Sequence, residues 1–128
     1  MEDAFYTPKH LARLLLRAVR SKDPQTVVDF CAGDGELLRA ASSRWSSARY
    51  VACDVSRPAL ASIKRNHPQW LTGRCDFLNS KSRAHCQVLK GLAGTVDVAV
   101  LNPPFTCVGG SRHTVSVGGN RFRCSTAM

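Results

Sequence analysis

The sequence predicts an α/β fold built on a mostly parallel, doubly wound sheet, and three observations predict it. Short β-branched or apolar runs alternate with stretches of helical periodicity. A Gly33-Asp34-Gly35 turn joins the first such run to the helical stretch after it. Asp29, Asp54, Asp76 and Asn102 stand at or just beyond the ends of four successive runs, which is where ligands sit on such sheets. The 128 residues make one domain, and a 44% hydrophobic content is enough for one buried core.

Helical spacing begins after Thr7, which can cap a helix, and Pro8, which suits a first turn. Leu11, Leu14, Leu15, Ala18 and Val19 form its expected apolar face, with His10, Arg13, Arg17 and Arg20 opposite; Pro24 places its end at residues 21–24. Residues 26–31 read as a strand, followed by the glycine turn and a helix over 36–44. Residues 49–54 repeat this logic, closing on Asp54, after which Ser56 and Pro58 open a helix carrying Leu60 and Ile63. A third strand is expected over 70–75, interrupted by Gly73 and followed by Asp76. Residues 80–94 read as a loop with a short helix over 84–89. Residues 96–101 read as a buried strand, which Asn102-Pro103-Pro104-Phe105 stops. Two short runs, 114–117 and 121–124, flanked by paired glycines, read as a hairpin or flap, and residues 125–128 as the start of another helix.

The net charge of +9 is unevenly built. After Glu36 the acidic residues are Asp54, Asp76 and Asp97, whereas Lys and Arg continue throughout. A surface so poor in carboxylates points to a polyanionic partner, nucleic acid first, although simple solubility accounts for charge alone equally well. No apolar run approaches the ~18 residues of a membrane span, so the expectation is a soluble cytoplasmic protein. The six cysteines include no Cys-x-x-Cys pair and no His at ligand spacing; they read as reduced thiols behaving as small hydrophobes, with no metal site expected.

Three features carry chemistry. The glycine turn lets backbone approach a ligand closely, but Gly35 is followed by Glu36-Leu37-Leu38, so the pyrophosphate fingerprint is incomplete and a cofactor without phosphates fits better. Asp54, about 20 residues beyond the glycines, suits the two hydroxyls of a ribose, and Asp76 suits an adenine amino group, with Phe77 to flank the ring. Either acid alone reads as a cap or turn former more readily than as a ligand contact; the three strand-end signals together are harder to attribute to chance. The sharpest feature is Asn102-Pro103-Pro104-Phe105. Two prolines fix the turn, so the Asn102 amide and the Pro103 carbonyl become rigid acceptors for a planar NH2 group, and Phe105 offers a face to stack on it.

In order and content these motifs resemble the class I S-adenosylmethionine-dependent methyltransferases, and among them the N6-adenine DNA methylases of restriction-modification systems. The resemblance runs from Phe5 to Phe105. Phe5-Tyr6-Thr7-Pro8 is similar to the N-terminal cofactor segment, and residues 28–35, with Asp29, Cys31, Gly33 and Gly35, to the glycine motif. Asp54 corresponds to the ribose acid, Asp76-Phe77 to the adenine contact, and Asn102, Pro103, Pro104 and Phe105 to the catalytic tetrapeptide.

The resemblance implies a Rossmann-like fold with S-adenosylmethionine as methyl donor and DNA as partner. It implies that Thr7, with Asp29 and the Gly33 turn, holds the methionine end of the donor. A flipped adenine would stack on Phe105 and be held through N6 by Asn102 and the Pro103 carbonyl. Neither a metal nor a general base is implied; His10, His67, His85 and His113 are given no catalytic role. Two alternatives stay open: a different NH2 acceptor, in RNA or a protein glutamine side chain, and a module that binds cofactor without turnover. Family members continue beyond the tetrapeptide, so the expectation is a single core, incomplete at its C-terminus, whose sheet a partner chain or self-association completes.

Overall fold

The computed structural model describes residues 6–103, 112–117 and 120–125. Four strands, β1 (Thr26–Asp29), β2 (Arg49–Asp54), β3 (Leu71–Arg74) and β4 (Val98–Ala99), form a parallel sheet in the order β3-β2-β1-β4. Helices α1 (Lys9–Ala18), α2 (Glu36–Arg44) and α3 (Arg57–Asn66) precede or connect them, and α4 (Ser80–His85) and α5 (Gln87–Lys90) lead from β3 to β4. A separate antiparallel hairpin pairs β5 (Arg112–Val117) with β6 (Asn120–Ser125). The reversal at β1 and β4 is the doubly wound arrangement that the sequence predicts.

Alternate residues of each strand serve opposite faces. Val27, Ala52 and Val98 join Ala12, Leu16, Leu37, Leu38, Ala41, Ile63 and Trp70 in one core, under α1, α2 and α3. Val28, Val51 and Cys53 join Cys75, Cys86 and Leu92 in a second, on the face of α4 and α5. Parallel strands covered on both sides read as continuous apolar runs, which is why 26–28 and 50–53 lack alternation. Ser56 caps α3 by accepting from the Ala59 N–H, with Pro58 in the first turn, as the sequence predicts.

Several elements differ from expectation. Helix α1 buries Ala12 and Leu16, with Val19 partly buried beside them, whereas Leu11, Leu14 and Leu15 are 43%, 56% and 49% exposed. Its apolar arc is wider than the surface it packs on, and α2 takes the edge carrying the smaller Ala12. Thr7 does not cap it: Pro8 holds the N-cap position without a side-chain bond. The helix stops at Ala18 and not at 21–24, because Val19 turns extended and the Arg44 guanidinium binds the carbonyls of Leu16, Val19 and Ser21.

Strand β1 is two residues shorter than read, since Phe30 and Cys31 already belong to the turn, and β3 covers 71–74 within the 70–75 predicted. The predicted single helix over 84–89 is two short helices meeting at Cys86, with Asn79 capping the first through the N–H groups of Lys81 and Ser82. Gly73 proves to be a close-approach position, because an added Cβ would lie 2.9 Å from Val88 Cβ. Strand β4 pairs over two residues, with Leu101 exposed, because β1 offers it partners only at Val27 and Val28. Ser125 ends β6 and does not begin a helix; residues 126–128 lie outside the described residues.

Candidate active site at the strand tips

The carboxyl ends of β1, β2 and β3 are stitched into one rim by backbone bonds, Ala32 N–H to the Cys53 carbonyl and Cys75 N–H to the Asp54 carbonyl. Asp29 ends β1 with 1% exposure, its Oδ1 accepting from the Cys31 N–H at 2.9 Å. Burial pushes its carboxyl up to about 7; the Cys31 bond opposes this and the Asp54 charge adds to it. Gly33 and Gly35 both take the left-handed conformation, φ +53° and +85°, which a side chain would strain. Gly35 thereby occupies the N-cap position of α2, within reach of Ile63.

Asp54 ends β2 and uses both carboxylate oxygens: Oδ2 accepts from the Gly33 N–H and Oδ1 from the Ser56 N–H, each at 2.8 Å. The acid read as a ribose contact therefore also clamps the glycine turn, and further hydroxyls would share oxygens that still hold lone pairs. Asp76 is exposed beyond β3, its Oδ1 turned to the Leu78 N–H.

Phe77 does not present an open face. One side stacks on Phe30, with centroids 4.2 Å apart, and the Arg83 guanidinium lies 5.6 Å over the ring. Flanking a purine would require one of these to move. Phe30 and Arg83 were not singled out from sequence, and the only available signal was the aromatic character of Phe30 inside the motif. An open recess of about 330 Å3 beneath this stack is lined by Phe30, Phe77, Leu89, Leu92 and Val96 beside Arg83 and Lys90. It contains neither the strand-tip acids nor Asn102, so it is not the crevice to which they belong.

Cys31 reports on the rim as a whole. Its thiol is pushed up to about 11, first by burial and then by the charges of Asp29, Asp54 and Asp76 and by Cys75. Three acids therefore gather around one point of a chain carrying +9. Such a local reversal of sign suits a cationic ligand. S-adenosylmethionine carries a sulfonium and an ammonium, and a glycine turn with acids at three tips matches that donor's chemistry. Asp29 would hold the ammonium end, Asp54 the ribose hydroxyls and Asp76 the adenine amino group.

Asn102 lies three residues beyond the end of β4. Its Nδ2 donates to Thr7 Oγ1 at 3.0 Å, across 95 positions of chain. Thr7 in turn follows Tyr6, whose ring lies 3.0 Å from where a Gly33 Cβ would be. Tyr6, within Phe5-Tyr6-Thr7-Pro8, thus lies against the glycine turn, a contact that nothing local in the sequence signals. Pro8, next to Thr7, accepts the first α1 bond from the Ala12 N–H, and Pro103 is exposed beside Asn102. Phe5, Pro104 and Phe105 lie outside the described residues.

His10 is exposed on α1, whereas His67 and His85 have partners of their own. His67 stacks on Trp70 at 3.8 Å, and His85 Nδ1 pairs with the Lys81 carbonyl; the His113 side chain lies outside the described residues. Among the described residues no group of three or more His, Cys, Asp or Glu is placed to hold a metal ion, and no helix is long and apolar enough to cross a membrane.

No curated protein matches the chain. Among solved structures it is similar to the precorrin-6y C5,15-methyltransferase of Geobacter metallireducens GS-15, at 14% identity with a TM-score of 0.54, covering 96% of this chain and 85% of that one. At that identity the likeness concerns the fold. Two weaker likenesses are to a Pyrococcus horikoshii protein described as a transferase (18% identity, TM-score 0.41, 55% of this chain and 29% of that one) and to the pyocyanin biosynthetic protein PhzM (20%, 0.36, 73% and 21%). The chain thus spans less than a third of the length of either. The model of the methyltransferase small domain matches residues 10–120, so the chain belongs to that family, a class I methyltransferase group whose methyl donor is S-adenosylmethionine.

Proposed function

We propose that the chain transfers a methyl group from S-adenosylmethionine to the exocyclic N6 amino group of adenine in DNA, acting in the cytoplasm as an adenine-specific DNA methyltransferase. The observation that carries this reading is the link from Asn102 through Thr7 and Tyr6 to Gly33, which joins the start of the Asn-Pro-Pro-Phe tetrapeptide to the cofactor turn.

The bound donor supplies an electrophilic methyl group on a sulfonium. The chain's residues position its acceptor. The Asn102 amide and the Pro103 carbonyl accept the two N–H bonds of a planar amine, which drains its lone pair from the ring and directs it out of plane. By the resemblance of the tetrapeptide, Pro104 would keep the turn rigid and Phe105 would stack on the base. Transfer would leave a neutral thioether and release the amine's proton to water, so no residue of the chain need act as a strong base and positioning would supply most of the barrier reduction.

Support for nucleic acid over protein comes from charge. Among the described residues both ion pairs belong to Arg39, bound to Asp34 and Glu36, which leaves many exposed Lys and Arg side chains for phosphates. The Phe5-Tyr6-Thr7-Pro8 segment preceding the glycine turn adds to the case for nucleic acid through its resemblance to the N6-adenine enzymes. The same surface fits structured RNA, so the test needs several acceptors.

Labelled S-adenosylmethionine is incubated with unmethylated duplex DNA, with RNA and with a glutamine peptide, and the products are resolved by mass spectrometry. N6-methyladenine in DNA alone is expected, and Asn102→Ala lowers its rate on the order of 10²-fold or more while cofactor binding by calorimetry persists. Methylated RNA or peptide instead would replace the substrate. Cofactor binding with no transfer to any acceptor would leave a binding module.

A further inference from the structure

We infer that the Thr7 hydroxyl is a positioning group that holds the Asn102 side-chain amide in place. An amide has a donating end and an accepting end, and only the accepting end serves a clamp for an amine. In this structure the donating end is committed, Asn102 Nδ2 to Thr7 Oγ1 at 3.0 Å.

Both partners are held by the same device. Thr7 precedes Pro8 and Asn102 precedes Pro103. The ring of a following proline restricts the residue before it to extended backbone, so both side chains project from backbones of limited freedom. Thr7 is fixed further on both sides: Tyr6 packs on Gly33, and the Pro8 carbonyl is tied into α1 through the Ala12 N–H. Both side chains are half-buried, so the bond is partly screened from water yet open to a ligand. Little entropy remains to be lost when an acceptor arrives.

The Tyr6–Gly33 contact extends the consequence. A strap of two residues, Tyr6 and Thr7, joins the glycine turn to the Asn102 amide. Thr7 here acts through Asn102, separately from the contact to the methionine end of the cofactor that family resemblance gives it. Asn102 as the amine-binding residue rests on the proposed function; the anchoring of its side chain by Thr7 does not.

The test begins without activity. On the full chain, the side-chain NH2 pair of Asn102 is assigned in a 1H–15N spectrum by its loss in Asn102→Asp. Thr7→Val, which keeps the branch and removes the oxygen, should shift that pair and speed its exchange with solvent; Thr7→Ser should restore both. In methyl-transfer assays Thr7→Val should lose on the order of 10- to 100-fold in kcat with the KM for S-adenosylmethionine unchanged, and Thr7→Ser should recover most of it.

An Asn102 pair indifferent to Thr7→Val overturns the inference. So does a loss confined to the KM for S-adenosylmethionine, which would make Thr7 a cofactor contact only. If the wild type transfers methyl to no acceptor while the Asn102 pair still follows Thr7→Val and Thr7→Ser, the proposed function fails and the positioning inference stands.

Discussion

Asp29 shows how much one buried acid decides. Its carboxyl is raised from 3.8 to about 7, so between those values the folded state binds a proton that the unfolded chain has released. The folded state is therefore favoured at low pH, and stability from this group is lost as pH rises through about 7. The full effect is about 4 kcal/mol. Asp29→Asn, which preserves the acceptor for the Cys31 N–H, is expected to unfold at higher urea than wild type at pH 8 and to lose that advantage near pH 4. An equal difference at both values would refute the assignment to ionisation. The same residue gives S-adenosylmethionine binding the opposite trend: the ionised form attracts the ammonium, so wild-type affinity measured by calorimetry should rise through pH 7 and the Asn variant's should stay flat.

Glycines govern the elements. At Gly35 the left-handed conformation puts the chain into α2, and Gly35→Ala forces a side chain into that region at a cost of about 1–3 kcal/mol, with Ile63 3.3 Å from its Cβ. Gly73 acts differently, since its backbone is unstrained and the obstacle is Val88 of α5. Gly73→Ala is expected to lose about 1–3 kcal/mol from overpacking, and Val88→Ala combined with it should recover part of that loss. Chemical denaturation of the two single variants and the double variant measures this; additive losses would mean that β3 and α5 do not meet as described. Gly35 was legible in sequence because the turn lies between a strand and a helix. Gly73 was read only as an interruption, since the residue it accommodates lies 15 positions on and reaches it through the fold.

At the scale of the whole molecule the charge has two arrangements. Cations spread over the exposed surface, whereas Asp29, Asp54 and Asp76 gather near Cys31. The arrangement suits a cationic donor held at the strand tips and a polyanion laid across the outside. We propose DNA for the latter, and its binding should weaken on the order of 10³-fold between about 50 and about 200 mM salt, as expected for release of several counterions. Fluorescence anisotropy with a short duplex checks this, and a binding constant indifferent to salt would remove nucleic acid from the proposal. Of the two edge strands, β3 and β4, the shorter is β4. Two paired residues in β4 give a partner little backbone to extend; completion of the sheet by another chain remains a proposal that sedimentation would test.

By itself the sequence determined the parallel α/β plan, the glycine turn, the Ser56 cap of α3 and the acids at three strand tips. These depend on local chemistry: β-branched runs, positive φ, caps and a proline stop each act over a few residues. The tertiary structure alone decided that α1 turns Ala12 and Leu16 inward and leaves its leucines outside. It also decided that Phe77 is covered by Phe30 and Arg83, and that Thr7 meets Asn102. Each of these depends on which surfaces come together across the chain, as 95 positions separate Thr7 from Asn102. A periodic pattern states that a face is apolar, but only its neighbours determine which part of that face is buried.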